Sequence, residues 1–250
     1  MDCGKIAQMR ILIISDIHAN LTALEAVLLA AGRFDSVWCL GDLVGYGPDP
    51  NEVIERVRQL PNLACLIGNH DAAALSQIDT DAFNPEARQA VHWTQKELND
   101  RSILFLRSLP EKLVIDDVTL SHGSPRYPVW EYLLDTRSAQ YNFDYFETPY
   151  CFVGHTHLPV IYTLDGTAES TQLKIPEPNT IIKLTWRTII NPGSVGQPRD
   201  RDPRAAYAIY DSEESTWTYQ RVAYDIEDVQ ARMVEAGLPE RHIIRLSGGW

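Results

Sequence analysis

Three short apolar segments near the start of the chain alternate with two amphipathic stretches. The apolar segments lie at residues 10–15, 36–40 and 63–67. Each is too short for a stable helix and rich in branched side chains, which is typical of buried strands. Asn20 can cap a first intervening helix that stops at Gly32, and a second helix is expected at about 50–59. This alternation predicts parallel βαβ units and an α/β fold.

Polar residues follow each of these strands at the point where it ends. They are Asp16 and His18 after the first strand, Asp42 after the second, and Asn69, His70 and Asp71 after the third. Because side chains alternate along a strand, we expect Asp16 and His18 to leave the first strand on the same side. Ligands of parallel sheets collect at the carboxyl ends of the strands, so the three groups are expected to meet at one edge.

The remainder of the chain predicts a helical segment and then a second, more antiparallel set of strands. A cap-like helical segment is expected at about 72–108, and the strands lie between 112 and 222. Further histidines end two of these strands, namely His122, His155 and His157. The last expectations are an exposed hairpin loop at 165–180, an amphipathic helix at 225–236 and a short tail at 239–250.

Length, charge and cysteine content limit what the chain can do. Its 250 residues suffice for one large core, and we expect a leader at 1–9 followed by a single domain at 10–250. No apolar run approaches the roughly 18 residues of a membrane span and no signal peptide is evident, so we expect a cytoplasmic protein without membrane contact. The net charge of −12 disfavours long nucleic acids as partners, although a local cationic centre can still bind a small anion. The four cysteines form no metal-binding or disulfide pattern.

Five of the seven histidines lie in the strand-end clusters. His92 and His242 lie elsewhere, and we expect them to be surface or structural residues without a function. A single histidine at a strand end is usually structural, but imidazole and carboxylate groups from five segments indicate a metal site. Nitrogen and oxygen ligands without a thiolate suit Mn, Fe, Zn, Co or Ni better than Ca or Mg. If two metals are held, one carboxylate must bridge them, and Asp42, alone in its segment, is the candidate.

The polar residues form an ordered set of five motifs. The set reads Asp16-x-His18, Gly41-Asp42, Gly68-Asn69-His70-Asp71, His122 and Gly154-His155-Thr156-His157. In this order it resembles the calcineurin-like metallophosphoesterase superfamily over roughly residues 9–222. The resemblance implies a four-layer αββα sandwich, in which two packed mixed β-sheets are flanked by helices.

The resemblance also implies a role for each matching residue. The first of two divalent transition metal ions would be bound by Asp16, His18 and His157. The second would be bound by Asn69, His122 and His155, and Asp42 would bridge the two. His70 would be the catalytic histidine, which contacts the phosphate and can protonate the leaving oxygen. Asp71 would either orient His70 or serve as an acid at a helix N-terminus.

Two loops indicate a branch of the superfamily. The loop Gly41-Asp42-Leu43-Val44-Gly45-Tyr46-Gly47 lacks the arginine found in protein phosphatases and symmetrical dinucleoside tetraphosphatases. The segments 45–48 and 191–199 resemble small bacterial and archaeal phosphodiesterases, some of which hydrolyse dinucleoside polyphosphates asymmetrically. Arg199 and Arg204 are candidate anion contacts, and Tyr46 could stack on a base or an aryl leaving group. Solvated arginines and a packed tyrosine are the structural alternatives.

The expected activity is hydrolysis of phosphate esters. Two carboxylates that face two divalent ions leave the site cationic and suited to an anionic phosphoryl group. We expect a phosphodiesterase that acts on small phosphodiester or nucleotide substrates through in-line attack by a metal-bridging hydroxide. The narrower alternative is an asymmetrical dinucleoside polyphosphate hydrolase. A third possibility is that the protein is a protein-binding scaffold of the same fold. Such scaffolds have lost metal-site histidines that this chain retains. The aromatic stretch at 127–150 suits a lid, a substrate wall or a subunit contact.

Overall fold

The computed structural model describes residues 9–166 and 170–250, so the leader predicted at 1–9 lies outside the described residues except for Met9. The strands are β1 (Arg10–Ile14), β2 (Ser36–Cys39), β3 (Leu63–Cys65), β4 (Lys112–Ile115), β5 (Val118–Ser121), β6 (Tyr150–Phe152), β7 (Pro159–Leu164), β8 (Thr171–Lys174), β9 (Ile181–Lys183), β10 (Thr188–Pro192), β11 (Ala205–Asp211) and β12 (Thr216–Val222). The α-helices are α1 (Leu21–Ala31), α2 (Pro50–Arg58), α3 (Asn69–Ala74), α4 (Pro85–Glu97), α5 (Asp100–Arg107), α6 (Thr136–Asn142), α7 (Ile226–Glu235) and α8 (Glu240–Gly248).

Two mixed six-stranded sheets form the framework. The first has the order β3-β2-β1-β11-β12-β9, and the second has the order β4-β5-β6-β10-β7-β8. In the first sheet β1, β2 and β3 are parallel neighbours, as the βαβ pattern predicts. Strand β11 pairs antiparallel with the other edge of β1, which places Ile11 opposite Tyr210. In the second sheet β5, β6 and β10 are parallel neighbours.

Strand β1 is buried on both faces. Ile11 and Ile13 lie in the core between the two sheets, whereas Leu12 and Ile14 lie in the core between the first sheet and the helices. Alternating side chains thus enter two different cores, which is why the strand is apolar at every one of these four positions. The prediction of a fully buried strand is confirmed.

Helices cover the outer face of each sheet. Helices α1, α2 and α5 share the core of the first sheet, and the α6 region packs on the second. Helices α4, α7 and α8 form a further cluster, which includes Tyr46 from the loop after β2. The four layers confirm the predicted αββα sandwich. None of the helices in the described residues is long and apolar enough to span a membrane.

Two elements differ from the sequence-based expectation. Strand β8 lies within the stretch predicted as a loop at 165–180, where it pairs with β7 and sets Lys174 opposite Ile161. Its side chains are mostly exposed, so it carries no apolar alternation that a sequence could reveal. Helix α8 replaces the predicted tail at 239–250. It begins after Pro239 without a side-chain cap, and it buries only His242 and Leu246, four residues apart.

The inter-sheet core generates a stability prediction. Phe152 is fully buried, and its ring centroid lies 4.9 Å from that of Trp217 and 5.2 Å from that of Tyr210. We expect Phe152→Ala to lower the free energy of unfolding by about 3–5 kcal/mol, because it removes buried area and leaves a cavity. Denaturant unfolding measures this loss. Leu104→Ala is the control, since Leu104 is 67% exposed and its change should stay within about 0.5 kcal/mol. Equal losses in the two variants would contradict the assignment of the core.

Candidate metal centre

Seven polar side chains from five loops or helix starts lie buried at one edge of the sandwich. They follow β1 (Asp16 and His18), β2 (Asp42), β3 (Asn69), β5 (His122) and β6 (His155 and His157). The structure therefore brings together the seven residues predicted as metal ligands. The carboxyl ends of the parallel strands meet there, as expected for an α/β sheet.

The backbone at this edge is left-handed at five of the seven residues. The φ angles are 53° at Asp16, 50° at His18, 54° at Asp42, 65° at His155 and 60° at His157. Such conformations cost about 1–3 kcal/mol each for residues other than glycine, and they persist only where surrounding contacts impose them. Here those contacts include hydrogen bonds from the amides of Asp16 and His18 to the carbonyls of Gly41 and Asp42, both 3.0 Å.

This geometry corrects the reason given for one prediction. Strand β1 ends at Ile14, so Asp16 and His18 do not lie in an extended strand with alternating side chains. They nevertheless approach one another, with 3.9 Å between Asp16 Oδ1 and His18 Nε2. The loop conformation, and not strand alternation, directs both side chains to one point.

The first ligand group consists of Asp16, His18 and His157. His18 Nδ1 lies 3.1 Å from the carbonyl of Val44, and His157 Nδ1 lies 2.6 Å from the carbonyl of Gln197. A carbonyl only accepts hydrogen bonds, so each Nδ1 carries the proton and each Nε2 presents a lone pair. These two Nε2 atoms face one another at 3.0 Å, and Asp16 Oδ1 lies 3.4 Å from His157 Nε2.

The donor set of this group fits a cation. Two nitrogen lone pairs and a carboxylate oxygen point at one buried position, and none of the three supplies a proton to the others. Without a positive charge between them such groups repel. Imidazole nitrogen and carboxylate oxygen are the ligands that Mn, Fe, Zn, Co and Ni accept. The ligand atoms lie within 4.8 Å of one another, which is close enough for one ion.

The second ligand group consists of Asp42, His122 and His155, with Asn69 beside it. His122 Nδ1 donates to the carbonyl of Leu40 at 2.8 Å, whereas His155 donates through Nε2 to the carbonyl of Trp130 at 3.2 Å. The lone pairs that remain are on His122 Nε2 and on His155 Nδ1, which is buried without a partner. Asn69 Oδ1 lies 3.1 Å from His122 Nε2. This group also fits a cation.

Asp42 lies between the two groups. Its Oδ2 atom is 3.7 Å from His18 Nε2 on one side and 3.4 Å from His122 Nε2 on the other. The same atom is buried without a hydrogen-bond partner, while Oδ1 accepts from the amide of His70 at 2.8 Å. One carboxylate oxygen is thus fixed by the backbone, and the other faces both groups.

Burial and mutual charge shift the pKa of each titratable ligand. Burial lowers the pKa of His18 to about 3 and that of His157 and His155 well below the usual range, so these rings are neutral at pH 7. Neutral imidazole is the form that binds metals. For His122, burial would lower the pKa, but the Asp42 carboxylate outweighs burial and raises it to about 9. Without a bound cation the Nε2 atom of this ring therefore carries a proton at pH 7, and a cation would have to displace that proton to use the lone pair.

The two carboxylates differ from each other. Burial raises the pKa of Asp16 to about 7. Burial also acts to raise the pKa of Asp42, but the charges of His122 and His70 outweigh it and hold that pKa well below the usual range. Asp42 is therefore an anion at neutral pH.

His70 lies against the first group, inside an aromatic enclosure. Its ring centroid is 5.0 Å from that of His18, 4.3 Å from that of Tyr46 and 5.0 Å from that of Phe83. His70 Nδ1 is buried without a hydrogen-bond partner. A Cβ atom at Gly45 would lie 2.6 Å from this nitrogen, and Gly45 has a φ of +90°. Only glycine allows this close approach in that conformation.

Asp71 connects two of the site loops. Its Oδ1 atom accepts from the amide of Val44 and its Oδ2 atom from the amide of Gly68, both at 3.0 Å. Both oxygens are used by backbone amides, and burial raises the pKa of this carboxyl to about 7. Of the two roles left open by the sequence, these contacts favour the acid at the start of α3. Any effect on His70 passes through the loop backbone.

The predicted substrate contacts have different environments. Tyr46 is only 7% exposed, and its ring is covered by the rings of His18, His70 and His242 at centroid distances of 4.3–4.7 Å. These contacts favour the structural alternative, a packed tyrosine, over a tyrosine that stacks on a base. The guanidinium of Arg199 lies 5.9 Å from the centre of this ring. Arg199 is thus placed beside the site.

Arg204 is placed away from the site. It is exposed, and its guanidinium binds Asp202 through contacts of 2.6–3.2 Å, while its own carbonyl accepts from Arg221. The prediction that it binds the substrate anion is not supported. A carboxylate only two residues away satisfies the guanidinium and holds it at the surface.

Sequence reasoning missed several residues around the site. Arg245 and His242 come from α8, which was expected to be a tail. His242 is buried, and its ring lies 4.5 Å from that of Tyr46. Tyr132 stacks on His155 with 3.8 Å between ring centroids, and Trp130 lies 5.7 Å from Phe83. The sequence singles out the aromatic stretch at 127–150, which contains Tyr132 and Trp130, but it does not predict their position beside the ligand groups.

Comparison with known proteins identifies the family. Residues 9–215 match the calcineurin-like phosphoesterase superfamily domain. The chain belongs to the calcineurin-like phosphoesterase superfamily, a family of metal-dependent phosphoester hydrolases. The two six-stranded sheets and the two buried ligand groups are consistent with this assignment.

Three similar proteins extend the comparison. The crystal structure of a metallophosphoesterase from Sphaerobacter thermophilus is 50% identical, covers 97% of this chain and 99% of its own, and gives a TM-score of 0.90. An uncharacterised protein of Methanocaldococcus jannaschii is 38% identical over 240 residues, which are 92% of this chain and 94% of that protein. A symmetrical bis(5'-nucleosyl)-tetraphosphatase of Photorhabdus laumondii is 34% identical over 101 residues, which are 34% of this chain and 37% of that enzyme.

The contact between Gly45 and His70 generates a prediction about turnover. We expect Gly45→Ala to lower kcat about 100-fold, because the new Cβ displaces His70 by a substantial fraction of an ångström. Metal content should stay at the wild-type level, since no ligand is changed. The measurements are phosphoester turnover and metal analysis. Gly237→Ala is the matched control, because Gly237 also has a positive φ, +66°, but open space around it. A similar loss of kcat in both variants would show that backbone strain alone is responsible.

Proposed function

We propose that this protein is a dinuclear metal-dependent phosphodiesterase that hydrolyses small phosphodiester or nucleotide substrates. The observation that carries the proposal is the position of Asp42 Oδ2. This unpartnered, buried oxygen lies 3.7 Å from a nitrogen of one ligand group and 3.4 Å from a nitrogen of the other. A carboxylate in this position can be shared by two ions, which is the arrangement used in two-metal hydrolysis of phosphate esters.

The ligands divide between two ions. Asp16, His18 and His157 would hold the first, and Asn69, His122 and His155 would hold the second, with Asp42 shared. When bound, the ions would supply Lewis acidity at the phosphoryl oxygens. The four carbonyl contacts keep the histidines in fixed tautomers, so the site is organised before substrate binds. Nitrogen-rich ligands favour Mn, Fe, Zn, Co or Ni.

His70 is the proposed acid for the leaving group. Its Nδ1 atom is enclosed against Gly45, which leaves Nε2 as the nitrogen that can reach a substrate. As an imidazolium, His70 can pass its Nε2 proton to the leaving oxygen as the ester bond breaks, and it then returns to neutral imidazole. Burial lowers the pKa of His70 well below the usual range, so the negative charge of the phosphate beside Nε2 has to favour the protonated ring. The rings of His18, Tyr46 and Phe83 restrict the orientation of this imidazole, so little reorganisation is needed.

The alternative within the same chemistry is hydrolysis of a dinucleoside polyphosphate with asymmetrical cleavage. Trp130 and Tyr132 favour this alternative. Trp130 is 38% exposed and lies beside Phe83, and Tyr132 is 47% exposed and lies beside His155. Exposed aromatic faces can stack on a base. A relative over about a third of the chain carries the name of a symmetrical nucleosyl tetraphosphatase, which supports the substrate class but not the asymmetrical cleavage. A purely scaffolding role is disfavoured because each of the seven ligand positions holds a residue capable of binding metal.

Metal content tests the division of the ligands. We expect Asp42→Ala to weaken both ions, because it removes the shared ligand, whereas Asp16→Ala should weaken the first ion more than the second. Elemental analysis after gel filtration of Mn-loaded protein measures the number of ions per chain. His92→Ala is the control, since His92 is exposed on α4 and bonds only to Gln95 among the described contacts. Wild-type metal content in Asp42→Ala would contradict a shared carboxylate.

Turnover tests the reaction and the role of His70. Wild-type protein should hydrolyse bis-p-nitrophenyl phosphate in the presence of Mn and lose this activity on chelation. We expect His70→Gln to lower kcat about 10²–10⁴-fold while metal content is retained, because a proton donor and not a ligand is removed. A panel of aryl monoesters, aryl diesters, cyclic nucleotides and dinucleoside polyphosphates then ranks the substrates. Wild-type protein without metal-stimulated hydrolysis of any diester would overturn the proposed function.

A further inference from the structure

Two arginines from distant parts of the chain meet beside the metal centre. Arg199 Nη2 donates to Gln197 Oε1 at 3.1 Å, and Arg245 Nη1 donates to the same oxygen at 3.3 Å. Burial lowers the pKa of Arg245, and the positive charge of Arg199 lowers it further. Two like charges are thus held together by one amide oxygen, an arrangement that is unfavourable unless an anion joins them.

Neither guanidinium has a carboxylate partner among residues 9–166 and 170–250. Other arginines of the chain do form such pairs, for example Arg56 with Glu25 and Arg221 with Asp200. Glu86, whose charge acts on Arg245, lies 4.0 Å from Arg241 instead. The ring of Trp250 lies 5.5 Å from the Arg245 guanidinium and supplies no negative charge. Each guanidinium therefore lacks a direct ion pair, and only longer-range attraction, from Asp16 for Arg199 and from Glu86 for Arg245, offsets the two charges.

Hydrogen-bond donors at this place are also unused. Gln197 is only 1% exposed, and its Nε2 atom is buried without an acceptor. The Nε atoms of Arg199 and Arg245 are likewise buried without acceptors. A buried donor without a partner costs about 1–3 kcal/mol, so three of them around one amide group indicate a ligand that accepts hydrogen bonds.

The cluster of Arg199, Arg245 and Gln197 lies close to the first ligand group. The carbonyl of Gln197 accepts from Nδ1 of His157, a residue of the first ligand group. Arg199 stands over Tyr46, whose ring contacts both His18 and His70. The arginines are thus next to the first ligand group, on the side where His70 lies.

We propose that Arg199, Arg245 and Gln197 form a subsite for a second phosphoryl group, adjacent to the one that is hydrolysed. The preferred substrates would be esters with a diphosphate or longer polyphosphate chain, as in nucleoside diphosphate esters or dinucleoside polyphosphates. The inference rests on the proposed phosphoester hydrolysis and names its substrate class. The planar guanidinium group matches the geometry of phosphate oxygens. Two arginines can also neutralise the additional negative charge that a second phosphoryl group brings.

Binding of two non-hydrolysable probes tests the subsite. Methylphosphonate carries one phosphoryl group and methylenediphosphonate carries two, and calorimetry on Mn-loaded protein gives the ratio of their Kd values. We expect wild-type protein to prefer methylenediphosphonate. Arg245→Gln and Arg199→Gln should each reduce this preference about 10–100-fold, and Arg245→Lys should retain more of it because the charge is kept.

The matched control is Arg241→Gln. Arg241 lies one turn from Arg245 on the same helix, is exposed, and should leave the preference unchanged. Circular dichroism and Tm verify that each variant is folded, and two separate arginine variants guard against misfolding of one. Wild-type protein that binds both probes equally, or arginine variants that keep the wild-type preference, would overturn the subsite. Failure of diester hydrolysis with a preserved preference would overturn the proposed function alone.

Discussion

The hydrogen bonds from four histidines to backbone carbonyls determine what this site can bind. Each carbonyl accepts a hydrogen bond from one ring N–H, at 2.6–3.2 Å, and so directs the other ring nitrogen towards the site. The acceptors belong to Leu40, Val44, Trp130 and Gln197, in segments far apart in the chain. Because these carbonyls are fixed by the fold, the direction of every lone pair is fixed as well. The loops, and not the side chains alone, make the site a receptor for cations.

The loops in turn are held by a small number of polar contacts to backbone groups. Asp71 joins the loop after β2 to the start of α3, and the amides of Asp16 and His18 bond to Gly41 and Asp42. These contacts stabilise the left-handed conformations that the ligand residues adopt. The close approach of Gly45 to His70 is part of the same arrangement. The site is thus one connected unit in which ligand position and backbone strain depend on each other.

Charge is distributed unevenly over this acidic protein. The chain carries a net charge of −12, yet two arginines without carboxylate partners among the described residues stand beside the ligand groups. An acidic surface disfavours long polyanions, while a buried cationic centre selects short ones that fit. The aromatic residues Trp130 and Tyr132 flank the same region and can add apolar contact. The proposed substrate, a small ester with more than one phosphoryl group, would match both features.

The sequence determined the βαβ start and the buried strand β1, since these depend on local periodicity. Its ordered motifs supplied the seven ligand candidates, and their resemblance to a known superfamily implied the αββα sandwich. The tertiary structure decided the rest. It covered Tyr46 with His18, His70 and His242, and it paired Arg204 with Asp202. It also brought α8 and Arg245 to Gln197 across 48 residues of sequence. Such contacts arise from packing between distant segments, which no local pattern encodes.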